Sequence, residues 1–192
     1  MSHWDLSLAL VGTIRHDGDG GVADDLDTVE GLAGWLSATA GIGAEPPAAT
    51  EELRRRVTTL RAAVRSLFAR AVSPLEPSKA DARNLIDVGT ALAQLNAAAA
   101  GLGPPALDWP AGGAPRLTYP MTATDADGRL LATFAGAATG FLAGPDVTRL
   151  RACPAPRCVR YFLQDDPRQA WCKPSCGNRA RVARHYQRQR ST

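Results

Sequence analysis

Residues 4–15 place Leu6, Leu8, Leu10 and Gly12 at alternate positions between small residues, and this period of two predicts a strand. It runs into the turn-rich Asp17-Gly18-Asp19-Gly20-Gly21. Beyond that turn the spacing lengthens to three and four. Residues 24–40 carry Leu26, Val29, Leu32, Ala33 and Leu36 at helical intervals, ended by Gly41 and Gly43. A longer helix is expected over 49–72, with Leu53, Val57, Leu60, Val64, Leu67 and Phe68 on one side. A third is expected over 78–100, with Leu85, Val88, Leu92 and Leu95. Residues 116–124 read as a second strand and 130–142 as an alanine-rich helix, interrupted by Ala143-Gly144-Pro145-Asp146. The fold class expected is mainly α within α+β: a helical N-terminal domain with a small β-sheet over 1–146, and a smaller module over 147–192.

The chain has 192 residues, 45% of them hydrophobic, and a net charge of +3. That is the composition of an ordinary globular protein. No segment approaches the ~20 apolar residues a membrane span needs, and the apolar run 6–14 lacks the basic start of a secretory signal. A cytoplasmic location with no membrane partner is the expectation. The net charge conceals a division. Residues 149–192 hold ten arginines and one lysine against two aspartates, a net +9, whereas residues 1–148 hold 11 basic and 17 acidic groups, a net −6. Opposite fields suit separate tasks, the basic part facing a polyanion.

The Asp17–Gly21 run does not complete a calcium loop. Gly21 stands where a third oxygen ligand is needed, Val22 where the turn glycine is needed, and Thr28 where a bidentate Glu should close the loop. The four cysteines all fall in the basic segment: Cys153 and Cys158, then Cys172 and Cys176. Two close pairs present four thiolates from two short turns, the tetrahedral donor set of Zn²⁺. A full thiolate shell leaves no position for an activated water, so one zinc ion with a structural role is expected. The formal −2 of such a site calls for screening by backbone amides and by Arg157, Arg160 and Lys173, with Gly177 letting the chain bend back and Asn178 capping the next helix. Tyr161, Phe162 and Trp171 are expected to form the module's apolar core.

The final helix expected from Asn178 has Val182, Ala183 and Tyr186 for packing, and Arg181, Arg184 and Arg188 at i, i+3 and i+7 facing out. Arg179, Arg181, Arg184, His185, Arg188 and Arg190 are the candidate nucleic-acid contacts, since the planar guanidinium suits both phosphates and base edges. RNA binding would call for exposed aromatic platforms, which this tail largely lacks. His3, His16 and His185 form no constellation with a nucleophile, so an enzyme is not expected.

Trp171-Cys172-Lys173-Pro174-Ser175-Cys176-Gly177-Asn178-Arg179 resembles the signature of the CGNR-type zinc finger, with Cys153, Cys158 and the pair Tyr161-Phe162 where that family has its first ligands and its aromatic step. Such fingers usually follow a helical domain called ABATE, in proteins regarded as candidate stress-induced transcription regulators. Residues 53–71 and 91–101 are similar to that domain in pattern and order. Its opening Leu-Asp-Phe-Val-Asn-Thr reads Leu8-Ala9-Leu10-Val11-Gly12-Thr13 here, without the acid and the amide. The resemblance implies a DNA-binding transcription regulator whose acidic domain senses a small molecule or pairs subunits into a homodimer. The position of the family's motif also places a candidate ligand pocket near Thr13, Arg15 and Trp35, beside the reading in which Arg15 is a solvated strand end and Trp35 a core residue. The alternative is a protein-interaction adaptor whose zinc module is a scaffold and whose arginines meet an acidic protein.

Overall fold

In the computed structural model, residues 3–19, 21–42, 46–81 and 83–190 are described, with side chains from Leu6 onward. Gly20 of the first turn and Gly43, expected to end the second element, lie outside the described residues. The expected mainly helical α+β architecture is what the chain adopts. Among the described residues six α-helices carry it, and the strands form three two-stranded antiparallel ribbons.

The first element differs from the expectation. His3–Val11 is a helix, α1, and the strand β1 is confined to Ile14–His16, paired with β2 at Val22–Asp24. Leu6 and Leu10 are both buried, as are Ser7 and Val11. Each is an i, i+4 pair on one helical face, and over so short a run alternate leucines satisfy either period. What decides is that α1 packs along the helix α5. Gly12 closes α1 by donating to the Leu8 carbonyl at 2.9 Å, and a Cβ at Gly12 would stand 2.8 Å from that oxygen. The aspartate turn behaves as a turn, with Asp17 Oδ1 accepting from the amides of Asp19 and Gly21.

Helix α2, Val29–Ala38, starts later than expected because Thr28 caps it, its hydroxyl accepting from the Gly31 amide at 3.0 Å. Helix α3, Glu51–Val72, is capped by Thr50 and carries Glu51 and Glu52 in its first turn, where they complement the helix dipole. Its stripe of Leu53, Val57, Leu60, Val64 and Phe68 is wholly buried, each side chain contributing ~1.5–3 kcal/mol of transfer free energy. Helix α4, Val88–Ala99, is capped by Asp87 and begins ten residues later than its apolar spacing suggests. The missing turns, around Ser78 and Asp81, serve other contacts described below. After the ribbon β3 (Ala106–Asp108) and β4 (Arg116–Thr118), helix α5, Ala126–Ala143, lays Leu130, Phe134, Ala138 and Phe141 against α1, α3 and α4.

A 3₁₀ turn, Pro145–Arg149, leads into β5 (Leu150–Ala152) and β6 (Tyr161–Leu163), paired from Leu150 with Leu163 to Ala152 with Tyr161. Leu150, Tyr161 and Leu163 belong to the main core, with the Phe68 ring 5.3 Å from Phe141 and 5.5 Å from Tyr161. The smaller apolar cluster of the cysteine module is built from Phe162, Ala155 and Trp171 around the cysteines. Tyr161 was expected in that cluster, but alternation along β6 sends it to the opposite side from Phe162.

Candidate metal centre and basic helix

The four thiol sulfurs lie within 4.8 Å of one another, and none is in a disulfide. Cys172 Sγ is 3.7 Å from Cys158 Sγ and 3.6 Å from Cys176 Sγ. A regular tetrahedron with Zn–S bonds of ~2.3 Å has edges of about 3.8 Å, so the donor set has the size and chemistry that zinc requires. The residues fit one structural zinc ion, held by Cys153, Cys158, Cys172 and Cys176.

Each ligand has a local cause for its position. Cys153 follows β5, and its amide donates to the Arg160 carbonyl at 2.9 Å, which closes the first cysteine turn. Arg157 in that turn sits at φ 62°, in the left-handed region that side chains other than glycine seldom occupy. The last pair leads into α6, Pro174–Arg190, which starts four residues before the expected cap at Asn178. Proline suits the first helical position, where no amide partner is lost. Cys176 therefore stands in the first turn, where exposed amides favour a thiolate. Gly177 lies inside α6, and its need for glycine is steric: a Cβ there would stand 3.2 Å from Cε3 of Trp171.

Packed this closely, the thiols cannot all ionise independently. Hydrogen bonds from the neighbouring thiols of Cys158 and Cys172, aided by the amides of Cys172 and Ala155, hold the Cys153 thiol down to about 3. The same contacts with Cys153 and Cys158, together with burial, push the Cys172 thiol up. A central dication resolves the conflict by stabilising all four thiolates together. Arg179 supplies further screening, its Nη2 donating to Cys176 Sγ at 3.1 Å. Arg179, one of the residues expected at a nucleic-acid contact, thus has its guanidinium on the metal site, one helical turn from Cys176. Lys79, from the loop after α3, donates to the carbonyls of Pro154 and Ala155 at 3.2 and 2.9 Å and braces the first cysteine turn from outside the module. Nothing in the local sequence around Lys79 signals that role.

The remaining basic candidates stand on an open helix. Arg181, Arg184, His185, Arg188 and Arg190 are all exposed on α6. Arg181 donates to Asn178 Oδ1 at 3.2 Å, and the Arg184 Nε to the Ala180 carbonyl at 3.4 Å. Val182 and Tyr186, expected to pack inward, are 54% and 62% exposed.

Thr13, Arg15 and Trp35, the residues of the expected pocket, each have partners within the fold. Thr13 is buried, its hydroxyl donating to the Leu10 carbonyl at 2.8 Å and accepting from Arg61 at 2.9 Å. Arg15 pairs with Asp25 at 2.6 Å on the surface, and Trp35 stacks on Phe134 with ring centroids 5.3 Å apart. Their polar and aromatic groups are already used within the fold.

Two family models match the chain. Residues 5–145 match the ABATE family, described as "Putative stress-induced transcription regulator", and residues 149–189 match the CGNR zinc finger. The chain belongs to the ABATE family. No curated protein matches the chain.

The ABATE and CGNR segments are joined through a buried polar cluster. Arg65 on α3 forms a 2.6 Å ion pair with Asp81 and donates to the Val11 carbonyl and the Ser78 hydroxyl. Tyr161 of the finger donates to Asp81 Oδ2 at 2.7 Å, and Ser78 Oγ donates to the Val159 carbonyl at 2.8 Å. Burial, then the facing Asp81 carboxylate, push the Tyr161 phenol upward, so it remains a donor. No helix among the described residues is long and apolar enough to cross a membrane.

Proposed function

We propose that this ABATE protein is a DNA-binding transcription regulator that presents α6 to duplex DNA, with the zinc site holding the base of that helix. The observation that carries this reading is the row of exposed arginines, Arg181, Arg184 and Arg188, on a helix fixed to the metal site through Cys176. The ten residues from Arg181 to Arg190 rise roughly 15 Å, enough to lie across a major groove ~12 Å wide. Arginine side chains on such a segment can neutralise phosphates on both sides of the groove. The reading assigns no catalytic step and places the protein in the cytoplasm with the DNA.

Pairing of two copies through the β3–β4 ribbon belongs to the same proposal. Its cross-strand pair Leu107 and Leu117 is 68% and 59% exposed, and Trp109 and Tyr119 are also exposed. The charges within residues 101–124 are Asp108 and Arg116, which pair with each other at 2.5 Å. A neutral apolar face on an otherwise acidic domain is where two like-charged copies approach with least repulsion.

The test is a duplex-DNA binding isotherm of the zinc-loaded protein at several salt concentrations. Affinity should fall on a log–log plot with a slope of roughly −0.9 per phosphate neutralised. Exposed Val182 and Tyr186 between the arginines also suit an acidic protein groove. No affinity for any duplex in a random pool at low salt would put that adaptor reading first.

A further inference from the structure

The four cysteines of the metal site differ in how far solvent reaches them. Cys153 and Cys158 are 3% exposed and Cys176 is fully buried, packed with Ala155 and Phe162, whereas Cys172 keeps partial exposure. A surface hollow of about 320 Å³ is lined by Cys172 together with Arg168, Ala170, Trp171 and Pro174. That volume is ample for a molecule little larger than water, which occupies ~30 Å³. A zinc ligand is a thiolate, and oxidation of cysteine follows thiolate character and exposure. Among these four ligands both conditions meet at Cys172.

We propose that Cys172 is a site of two-electron oxidation by hydrogen peroxide, that Cys158 resolves it to a Cys158–Cys172 disulfide, and that the metal site thereby gives up its zinc. The Cys172 thiolate attacks a peroxide oxygen, an S–O bond forms, the O–O bond breaks and hydroxide leaves. The oxidant arrives from the hollow, so the new S–O bond points outward and the buried sulfurs stand behind it, placed for in-line displacement. Cys158 Sγ, in van der Waals contact at 3.7 Å, attacks the Cys172 sulfur. The S–S bond forms, the S–O bond breaks, and a second hydroxide leaves. Two thiolates lose two electrons, one peroxide gains them, and solvent neutralises the two hydroxides.

Cys176 Sγ is as close to Cys172, at 3.6 Å, but it accepts from Arg179 Nη2 at 3.1 Å and stands in the first turn of α6. The guanidinium and the helix amides both draw on the electron pair that an attack needs. Cys176 is therefore left as a thiolate. The first cysteine turn stays braced by Lys79 and by the Cys153 amide on the Arg160 carbonyl, so the loss of order falls on α6. Zinc content and cysteine chemistry report the step without DNA, so its failure and failure of α6 to hold DNA are separate results.

The experiment exposes the zinc-loaded full chain to hydrogen peroxide, with and without dimedone to trap sulfenic acid, beside a colorimetric zinc chelator. Peptide mapping by mass spectrometry locates the modified cysteines, and zinc-stripped protein shows that the peroxide oxidises free thiols. The first dimedone adduct should fall on Cys172. Without dimedone, zinc should be lost in step with a Cys158–Cys172 disulfide, and dithiothreitol with fresh zinc should restore the site, because a disulfide reverses and a sulfinate does not. Cys172→His keeps a fourth ligand of a kind zinc accepts and should retain its zinc over the same exposure. If that variant does not load zinc, the adduct map of the wild type decides. A first adduct on another cysteine, a Cys172–Cys176 disulfide, zinc retained after Cys172 is oxidised, loss that dithiothreitol does not reverse, or loss from Cys172→His at the wild-type rate would each overturn the proposal.

Discussion

The phenol of Tyr161 donates a 2.7 Å hydrogen bond to Asp81, eighty residues earlier in the chain, and the same Asp81 carboxylate holds Arg65 at 2.6 Å. The Arg65 guanidinium lies 5.4 Å from the centre of the Tyr161 ring. The strand between the two cysteine pairs is thus bonded into the helical domain through a buried ion pair. An ion pair at this depth is strongly destabilising to break, because removal of one partner strands the other charge. Asp81→Ala should cost ~3–5 kcal/mol in denaturant unfolding, and Tyr161→Phe, which removes one hydrogen bond and keeps the ring, about 1–2 kcal/mol. Equal effects of the two would mean that the phenol, not the ion pair, dominates the joint.

Zinc removal should separate two parts of the finger. Leu150, Tyr161 and Leu163 are anchored in the main core, whereas α6 depends on Cys172 and Cys176 for its base. Cys176→Ser should lower zinc from one equivalent, measured by elemental analysis. Amide exchange should then become fast along α6 and stay slow along α3 and α5. Protection of α6 in zinc-free protein would show that the helix stands without the metal.

Two glycines should respond oppositely to alanine. A Cβ at Gly177 meets the Trp171 ring at 3.2 Å, beside Cys176, while one at Gly34, within α2, meets nothing within 4 Å. Gly177→Ala is expected to destabilise by ~1 kcal/mol and speed zinc loss to a chelator, through crowding of a packed ring. Gly34→Ala is expected to stabilise by roughly 0.5–1 kcal/mol, from the helix preference alone. Thermal unfolding of both variants at fixed zinc gives the comparison.

Acid should weaken the contact between β2 and α3. Burial acts to raise the Asp24 carboxyl, but the Arg61 hydrogen bonds at 2.5 and 2.6 Å and the Leu26 amide outweigh it and hold the group below the usual carboxylate range. A carboxyl depressed in the folded state adds stability that is fully present above its unfolded value near 3.9 and is lost as pH falls through the folded value. Asp24→Asn should lower stability at neutral pH and make stability less dependent on pH below about 4. A variant whose pH profile parallels that of the wild type would place the acid sensitivity elsewhere.

The arginine row gives a graded test of DNA contact. Arg184→Ala and Arg188→Ala should each reduce the salt slope by about one and weaken all duplexes alike if they meet phosphates. An arginine that reads guanine should instead cost ~1–3 kcal/mol on the preferred sequence alone. Arg179→Ala should act differently, through faster zinc loss, because its guanidinium is on Cys176 Sγ. Leu117→Lys on the β3–β4 ribbon should convert any dimer seen by sedimentation to monomer and leave zinc content intact.

The sequence by itself determined the metal site, because two cysteine pairs a few residues apart leave little choice of which sulfurs meet. It also determined α3, whose stripe from Leu53 to Phe68 runs long enough for only the helical period to fit. The same was true of the basic character of α6, since charge is a property of the residues and not of their packing. Tertiary structure decided the rest. α1 is a helix because α5 offers a face for Leu6 and Leu10, a choice that a nine-residue run with two admissible periods does not contain. Arg179 turned inward and Tyr186 outward because the metal site, not the helical period, defines what lies beneath α6. Asp81 meets Tyr161, and Lys79 meets Ala155, across some seventy-five to eighty residues of chain, and contacts at that separation follow from how elements dock, leaving no spacing in the sequence to read.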